Sequence, residues 1–426
     1  MKLKRETFLS VLLFSLLIGC KSSDRKSIHE EIEKQTNGIF DSLVSIRRDL
    51  HRHPELSGQE KRTSKIVEEY LLDLGYDVEK GIGGYGVIGI LNSDKEGKKI
   101  AWRADMDAFK HNDIDKSDFK SQNEGISHVC GHDFHTTIGL GIANVLSKLK
   151  EDINGTIYFI FQPSEETFKG AKAMIEDGLF NKIKPDEIYG LHVFPSETGI
   201  ISTKSKELFA YKKKVKVSFD KNINQDKFKV FFKKIMENFI RNKPNSTPWS
   251  IDYFTDPELG LENPKTIYKD YFILDSNIDT IENKQTISFE STFYETDSDK
   301  LDSILGQINS LMLNSEYEGS YLSTSYSKGN PTVFNDPELT KTCLRTLDRL
   351  YGKKSVKPIY GQVPYSNEDF IYYQYRIPGV MFLLGGSNKE KGLIAMPHTT
   401  EFLVDEDVIK YGVEYFSSLL SVRVNQ

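Results

Sequence analysis

The segment His128-Val129-Cys130-Gly131-His132-Asp133-Phe134-His135 places three imidazoles, a thiol and a carboxylate within eight positions. Thiolate and imidazole are the donors that bind zinc and similar divalent ions, and a Cys-x-His spacing lets Cys130 and His132 reach one ion from a tight turn at Gly131. Four further pieces carry polar groups beside apolar runs: Arg103-Ala104-Asp105-Met106-Asp107, Gln162-Pro163-Ser164-Glu165-Glu166, Gly190-Leu191-His192-Val193, and Pro397-His398-Thr399-Thr400-Glu401-Phe402. Adjacent acids such as Glu165 and Glu166 ordinarily make a solvated loop. Here they follow an apolar run, and open α/β sheets bind ligands at the carboxyl ends of their strands. Together the pieces offer a thiolate, imidazoles and a spare carboxylate pair, the donor set of a divalent-metal site.

The elements that must hold these groups alternate. Residues 86–91, 100–103, 157–161, 188–193 and 380–384 are short apolar runs between turn signals, which predict strands. Helical spacing covers 30–52, 63–74, 137–149, 171–176 and 337–350. The alternation predicts an α/β domain with a mostly parallel, buried sheet. The histidine cluster is expected just before a helix starting near Thr137, with His135 capping it. Over 213–328 the texture changes: strands around Val215, Tyr271, Ile287 and Tyr321, and helices around Phe228 and Leu305, give the order β-α-β-β-α-β of a ferredoxin-like domain. With α/β material on both sides, it is read as an insertion into a catalytic domain formed by 29–212 and 329–426.

Of 426 residues, 38% are hydrophobic and 28% charged, which excludes a disordered chain. A net charge of -6 excludes a nucleic-acid binder, which needs a basic surplus. The chain opens with Lys2, Lys4 and Arg5 and a mostly apolar run from Phe8 to Ile18, the layout of a secretory signal and too short to span a membrane. The run ends in Leu17-Ile18-Gly19-Cys20, which resembles the bacterial lipoprotein box. That resemblance implies cleavage before a lipidated Cys20, a polar tether over 21–28, and a protein anchored in the bacterial cell envelope on its extracytoplasmic side. The other two cysteines, Cys130 and Cys343, are then a candidate metal ligand and a buried spectator.

Taken in order, His53-Pro54-Glu55-Leu56, Arg103 to Asp107, Cys130-Gly131-His132-Asp133, Ser164-Glu165-Glu166, Gly190-Leu191-His192, Ser366-Asn367-Glu368-Asp369-Phe370 and the His398 loop are similar to the zinc-exopeptidase-like, metal-dependent amidohydrolase family. That family contains hippurate hydrolases, N-acyl-amino-acid amidohydrolases, auxin-conjugate hydrolases and carboxypeptidase-like relatives. The resemblance implies that Cys130, His132, Glu166, His192 and His398 bind two divalent ions, zinc or manganese first, with cobalt or nickel compatible. It implies Glu165 as general base, taking a proton from the attacking water and returning it to the departing nitrogen, and Asp107 orienting a metal ligand. It places neither His128 nor His135 among the ligands. The expected substrates are small N-acyl amino acids or peptides, and a homodimer through the insert follows by analogy.

The insert departs from the family. Relatives carry there a histidine that holds the oxyanion and an arginine that contacts a substrate carboxylate. This chain has no histidine between His192 and His398, and Arg241, expected in the first insert helix, is the sole arginine of 213–328. Tyr294 stands where the arginine would lie, Asn283 marks the remnant of the preceding turn, and Phe109-Lys110-His111 replaces the usual Leu-Pro. Arg241 or the insert's lysines are candidate replacements. Two rival readings follow: a surface-binding descendant that kept metals and lost turnover, and a structural zinc protein. The retained Glu165 argues against both, since neither needs a spare base.

Overall fold

The computed structural model describes residues 20–112, 115–220, 223–241 and 251–426. The leader expected over 1–20 lies outside these residues except for Cys20, which opens helix α1 (Cys20–Arg52). The stretch expected as a tether is continuous with that helix. Among the described residues no helix is long and apolar enough to cross a membrane.

The chain continues through α2 (Lys61–Asp73), β1 (Asp77–Ile82), β2 (Gly86–Asn92), β3 (Lys99–Asp105), α3 (His132–Lys148), β4 (Thr156–Gln162), α4 (Gly170–Glu176), the short α5 (Leu179–Lys182), β5 (Glu187–Glu197) and β6 (Ile201–Thr203). After the insert come α9 (Pro337–Tyr351), β13 (Val356–Pro358), the short α10 (Ile371–Gln374), β14 (Gly379–Ser387) and α11 (Asp407–Val424), and these strands join one sheet in the order β1-β2-β4-β3-β5-β14-β6-β13. The pairings β4-β3, β3-β5 and β5-β14 at its centre are parallel, as is β6-β13. The edge pairs β1-β2 and β2-β4 are antiparallel, as is β14-β6. Every residue of β4 and β14 is buried, because helices cover both faces, and that is why these strands read as unbroken apolar runs.

Helices α1, α3 and α11 pack together on one face, around Leu43, Ile138, Val413 and Phe416. Close approach depends on glycine: a Cβ at Gly141 would lie 2.4 Å from Val413. Helix α3 begins at His132, earlier than the expected start near Thr137. Gly131, at φ +94°, lets the chain turn directly into the helix, and Asp133 in the first turn favours its positive end. A polar, histidine-rich first turn conceals this start from apolar periodicity. The expected capping role of His135 is also corrected: α3 has no side-chain cap, and the His135 ring bonds elsewhere.

The insert holds β8 (Tyr211–Asp220), α6 (Gln225–Glu237), the short α7 (Ile251–Phe254), β9 (Phe272–Glu282), β10 (Thr286–Glu295), α8 (Asp299–Leu313) and β11 (Tyr321–Asn330). Its strands form a separate antiparallel sheet in the order β11-β8-β10-β9, the ferredoxin-like arrangement read from the sequence. Phe219, Phe228, Phe232, Phe289 and Ile308 fill its own core. A short ribbon, β7 (Lys206–Glu207) with β12 (Phe334–Asn335), closes the base of the insertion.

Candidate metal centre

The loop before α3 brings in Cys130, and the first turn of α3 brings in His132. The turn after β4 carries Glu165 and Glu166, β5 carries His192, and the loop beyond β14 carries His398. Four sequence-distant segments thus meet at the carboxyl end of the central strands. Cys130 Sγ lies 3.3 Å from His192 Nε2 and 3.1 Å from His398 Nε2, and His398 Nε2 lies 3.2 Å from Glu166 Oε1. Ligand atoms of Cys130, His132 and His192 fall within 4.8 Å of one another, as do those of Cys130, Glu166 and His398. Cys130 belongs to both groups. A third group joins His132 to Glu165 and Glu166.

The imidazoles are aimed by what their other nitrogens bind. His132 Nδ1 is 2.8 Å from the Asp107 carbonyl and 3.2 Å from its carboxylate, both acceptors, so Nδ1 carries the proton. His192 Nδ1 likewise donates to the Val193 carbonyl at 2.7 Å. Both Nε2 lone pairs are left facing the cluster, and His132 Nε2 is buried with no hydrogen-bond partner. An orphaned, pre-oriented lone pair beside a thiol is what a metal ligand requires. His398, at φ +58°, is held by its own N–H donating to the Val129 carbonyl at 2.8 Å and by the ring of Phe109 stacked at 4.7 Å. The residue that displaces the family's Leu-Pro therefore supports a candidate ligand.

Behind the donors lies a buried charge network. Arg103, fully buried, donates to Gln162 Oε1 at 2.9 Å, Asp105 Oδ2 at 2.6 Å and Asp369 Oδ1 at 3.0 Å, and lies 3.2 Å from Glu368 Oε2. Asp105 also accepts from His135 Nδ1 at 2.7 Å, and His135 Nε2 in turn accepts the Val193 N–H at 2.9 Å, next to His192. Glu165 accepts the Asp369 N–H at 3.3 Å.

Acids outnumber cations here, and the titration behaviour follows. Burial, then Glu166, Glu165 and Asp105, push the Cys130 thiol well above its ordinary range. Burial opposes a charge on His132, yet Asp105 and Asp107 outweigh it and raise its proton affinity. Burial, then Glu368 and Asp369, push the Glu165 carboxyl up. Burial and neighbouring acids lift Glu368 to about 8 and Asp369 to about 6 against the pull of Arg103. The centre draws positive charge onto itself, and divalent cations would supply it while making the thiolate a ligand. The donor set of thiol, imidazoles and carboxylate fits such ions.

The structure thus gathers Cys130, His132, Glu165, Glu166, His192 and His398, with Asp107 beside them. His128 stays apart, its ring against His51 at 6.4 Å and its proton affinity lowered by burial to about 4. Arg241 is corrected. It lies beyond α6 rather than in it, and its guanidinium is committed to Asp270 at 2.9 Å and Glu295 at 3.0 Å. Tyr294 is buried with its ring 4.8 Å from Tyr365, and Asn283 forms the β9–β10 turn by accepting the N–H groups of Gln285 and Thr286. Sequence reasoning assigned no role to Glu368, Asp369 or Glu60. Their signal, acids embedded beside apolar residues, is indistinguishable from surface charge until the fold buries them.

The model of Peptidase family M20/M25/M40 matches residues 101–422. Thermostable carboxypeptidase 1 of Saccharolobus solfataricus is 32% identical over 405 residues, covering 92% of this chain and 98% of the relative. Hippurate hydrolase of Campylobacter jejuni is 44% identical over 150 residues, 35% of this chain and 39% of that protein. The YXEP protein of Bacillus subtilis, described as a dinuclear metal-binding peptidase of the M20 family, superposes with a TM-score of 0.70 at 23% identity over 91% of this chain and 98% of that one, a likeness of fold. The chain belongs to peptidase family M20/M25/M40 and is a metal-dependent hydrolase of amide bonds.

Proposed function

We propose that the protein cleaves the amide bond of N-acyl amino acids or small peptides, with Cys130, His132, Glu166, His192 and His398 holding two divalent ions and Glu165 moving the proton. The observation that carries this is the meeting of three Nε2 atoms with Cys130 Sγ and Glu166 around a buried Glu165. The carboxypeptidase and hippurate hydrolase relatives support the substrate class. Ions bound there, zinc or manganese first, supply Lewis acidity toward an amide carbonyl and toward water. Glu165 takes a proton from the attacking water and delivers it to the departing nitrogen. Asp107 fixes the tautomer of His132 from behind. Glu166 is spent on binding.

In the insert the Arg241 guanidinium is tied to Glu295 and Asp270, so it is not free to take the part of the family's carboxylate-binding arginine. A lipid anchor at Cys20 and a dimer through the insert belong to the same proposal. A Cys20→Ala chain that stayed in the membrane fraction would remove the first, and a monomer in sedimentation the second.

The test is a metal assay beside a hydrolysis screen of N-acyl amino acids and dipeptides, on wild type and Glu165→Ala. The variant is expected to keep its metal and lose about 10²–10⁴ in turnover. Loss of metal instead would reverse the roles of Glu165 and Glu166. Two bound ions with no Glu165-dependent hydrolysis would favour the metal-retaining binding protein.

A further inference from the structure

The turn that carries Glu165 and Glu166 presents three consecutive backbone N–H groups to two carboxylates. Ser164 N–H donates to Glu60 Oε1 at 2.8 Å, Glu165 N–H to Asp107 Oδ1 at 3.1 Å and Glu166 N–H to Asp107 Oδ2 at 3.0 Å. Asp107 comes from just past β3, but Glu60 comes from a different part of the chain, at the start of α2. Its position there suggests a helix cap, yet its side chain makes no cap bond. Glu55 does that work, accepting Arg62 N–H at 2.9 Å and Thr63 N–H at 2.8 Å. Glu60, fully buried, turns away from its helix and toward the 164–166 turn.

The turn needs holding. Ser164 sits at φ +58° and Phe168 at φ +55°, left-handed conformations that side-chain-bearing residues adopt only when their surroundings impose them. Glu60 Oε1 also accepts Gly58 N–H at 2.9 Å, and Ser57 Oγ donates to Asp107 Oδ2 at 2.6 Å. The Ser57–Glu60 loop therefore touches both carboxylates that receive the turn, and it fixes their spacing.

We propose that Glu60 is a positioning residue, whose hydrogen bond to Ser164 N–H sets the turn that places Glu165 and Glu166. It touches neither substrate nor metal and acts through the backbone. The proposal rests on the assignment of Glu165 and Glu166 given above, and it adds a residue outside that assignment whose loss loosens both groups together.

The test uses the full chain with three variants, Glu60→Ala, Glu60→Gln and Glu60→Asp, plus Glu165→Ala for comparison. Zn²⁺ affinity is measured by competition with a chelating dye, and kcat and KM at saturating metal on an amide that the wild type cleaves. Glu60→Ala is expected to bind Zn²⁺ about 10–100-fold more weakly and to lose about 10–100-fold in kcat, with KM unchanged. Glu60→Gln keeps an acceptor oxygen at the same reach and restores most of both. Should Glu60→Ala not fold, Glu60→Asp, whose oxygen falls short of Ser164 N–H, is read in its place with the same expectation. A folded Glu60→Ala or Glu60→Asp with wild-type Zn²⁺ affinity and kcat overturns the proposal. So does a Glu60→Gln as impaired as Glu60→Ala, which would assign the effect to charge. If Glu165→Ala keeps full turnover, the assignment of the base fails, and the Zn²⁺ affinities still decide for or against Glu60.

Discussion

Replacing Arg103 by Leu should destabilise the protein strongly at neutral pH and weakly in acid. The guanidinium has no exposed surface and is the cation shared by Asp105, Glu368 and Asp369. Burial is the largest influence on Asp105 and pushes its carboxyl up, but Arg103, His132 and His135 together hold it well below the ordinary value of 3.8. Without Arg103, Asp105 must accept a proton or stay charged in an apolar interior. Taking a proton costs about 1.4 kcal/mol per unit between its unfolded pKa and the ambient pH. From 3.8 this reaches about 5 kcal/mol near pH 7.5 and about 2 kcal/mol near pH 5, with the two histidines beside it offsetting part. Glu368 and Asp369, lifted to about 8 and about 6, are mostly protonated at the lower pH and add little there. The expected loss is therefore about 3–5 kcal/mol near pH 7.5, the range for breaking a buried pair, and about 1–2 kcal/mol near pH 5. Urea unfolding in a chelating buffer at both values measures it. A loss equal at the two pH values, or under about 1 kcal/mol at the higher one, would refute the network's electrostatic role. Arg103→Lys should fall between, since an ammonium cannot reach all these acceptors in one plane.

Two further outcomes follow from the same geometry. The metal-free protein should lose stability as pH rises from about 6.5, where the buried histidines held neutral no longer differ from the unfolded chain, to about 8. Burial lifts Glu60 to about 7 and Glu368 to about 8, so in this window the folded state holds protons that the unfolded state has released. Differential scanning calorimetry with chelator should show Tm falling across the window, and Zn²⁺ should flatten the fall. A rising Tm without metal would contradict the burial of these acids. Gly170→Ala should disturb both fold and activity, because its Cβ would lie 1.6 Å from the Pro163 carbonyl and 2.9 Å from Gln162 Nε2, directly behind the turn. A backbone atom cannot yield as a side chain does, so a loss of about 1–3 kcal/mol in urea unfolding and a fall in kcat are expected. Wild-type values for both would mean the turn is looser than its hydrogen bonds suggest.

What the sequence made legible was set by periodicity and chemical rarity. The strands β2, β3, β4, β5 and β14 are buried along most of their length, so their runs stand out, and the insert's order survives because β8, β10, α6 and α8 each keep a buried apolar face. Cys130 and His132 were readable because thiol and imidazole one residue apart have few uses besides metal. The illegible parts share a different cause. Strand β1 lies at the sheet edge with mostly exposed residues, so it carries no apolar signal. The first turn of α3 is written in histidine and aspartate because it serves the site, and a helix start composed of site residues does not look like a helix.

The acids divide the same way, and the division bears on how such a centre works. Glu165 and Glu166 could be singled out because they end a strand. Glu368 and Asp369 stood in a family motif but without a role, and Glu60 did not stand out at all, since an acid's role depends on burial and on which backbone N–H it receives, and those are properties of the fold. The chain places Asp105, Glu368 and Asp369 around one arginine, Arg103, buries Glu60 under the 164–166 turn, and leaves His132 Nε2 without a hydrogen-bond partner. In a purely structural core that arrangement would be unfavourable: acids would be held protonated and a lone pair left orphaned. It becomes favourable once divalent charge enters, because the same acids then orient imidazoles, hold the turn and balance the ions. The surplus of buried carboxylate over cation is the physical mark of a site built around metal, and it points the same way as the thiol and the imidazoles read from the sequence.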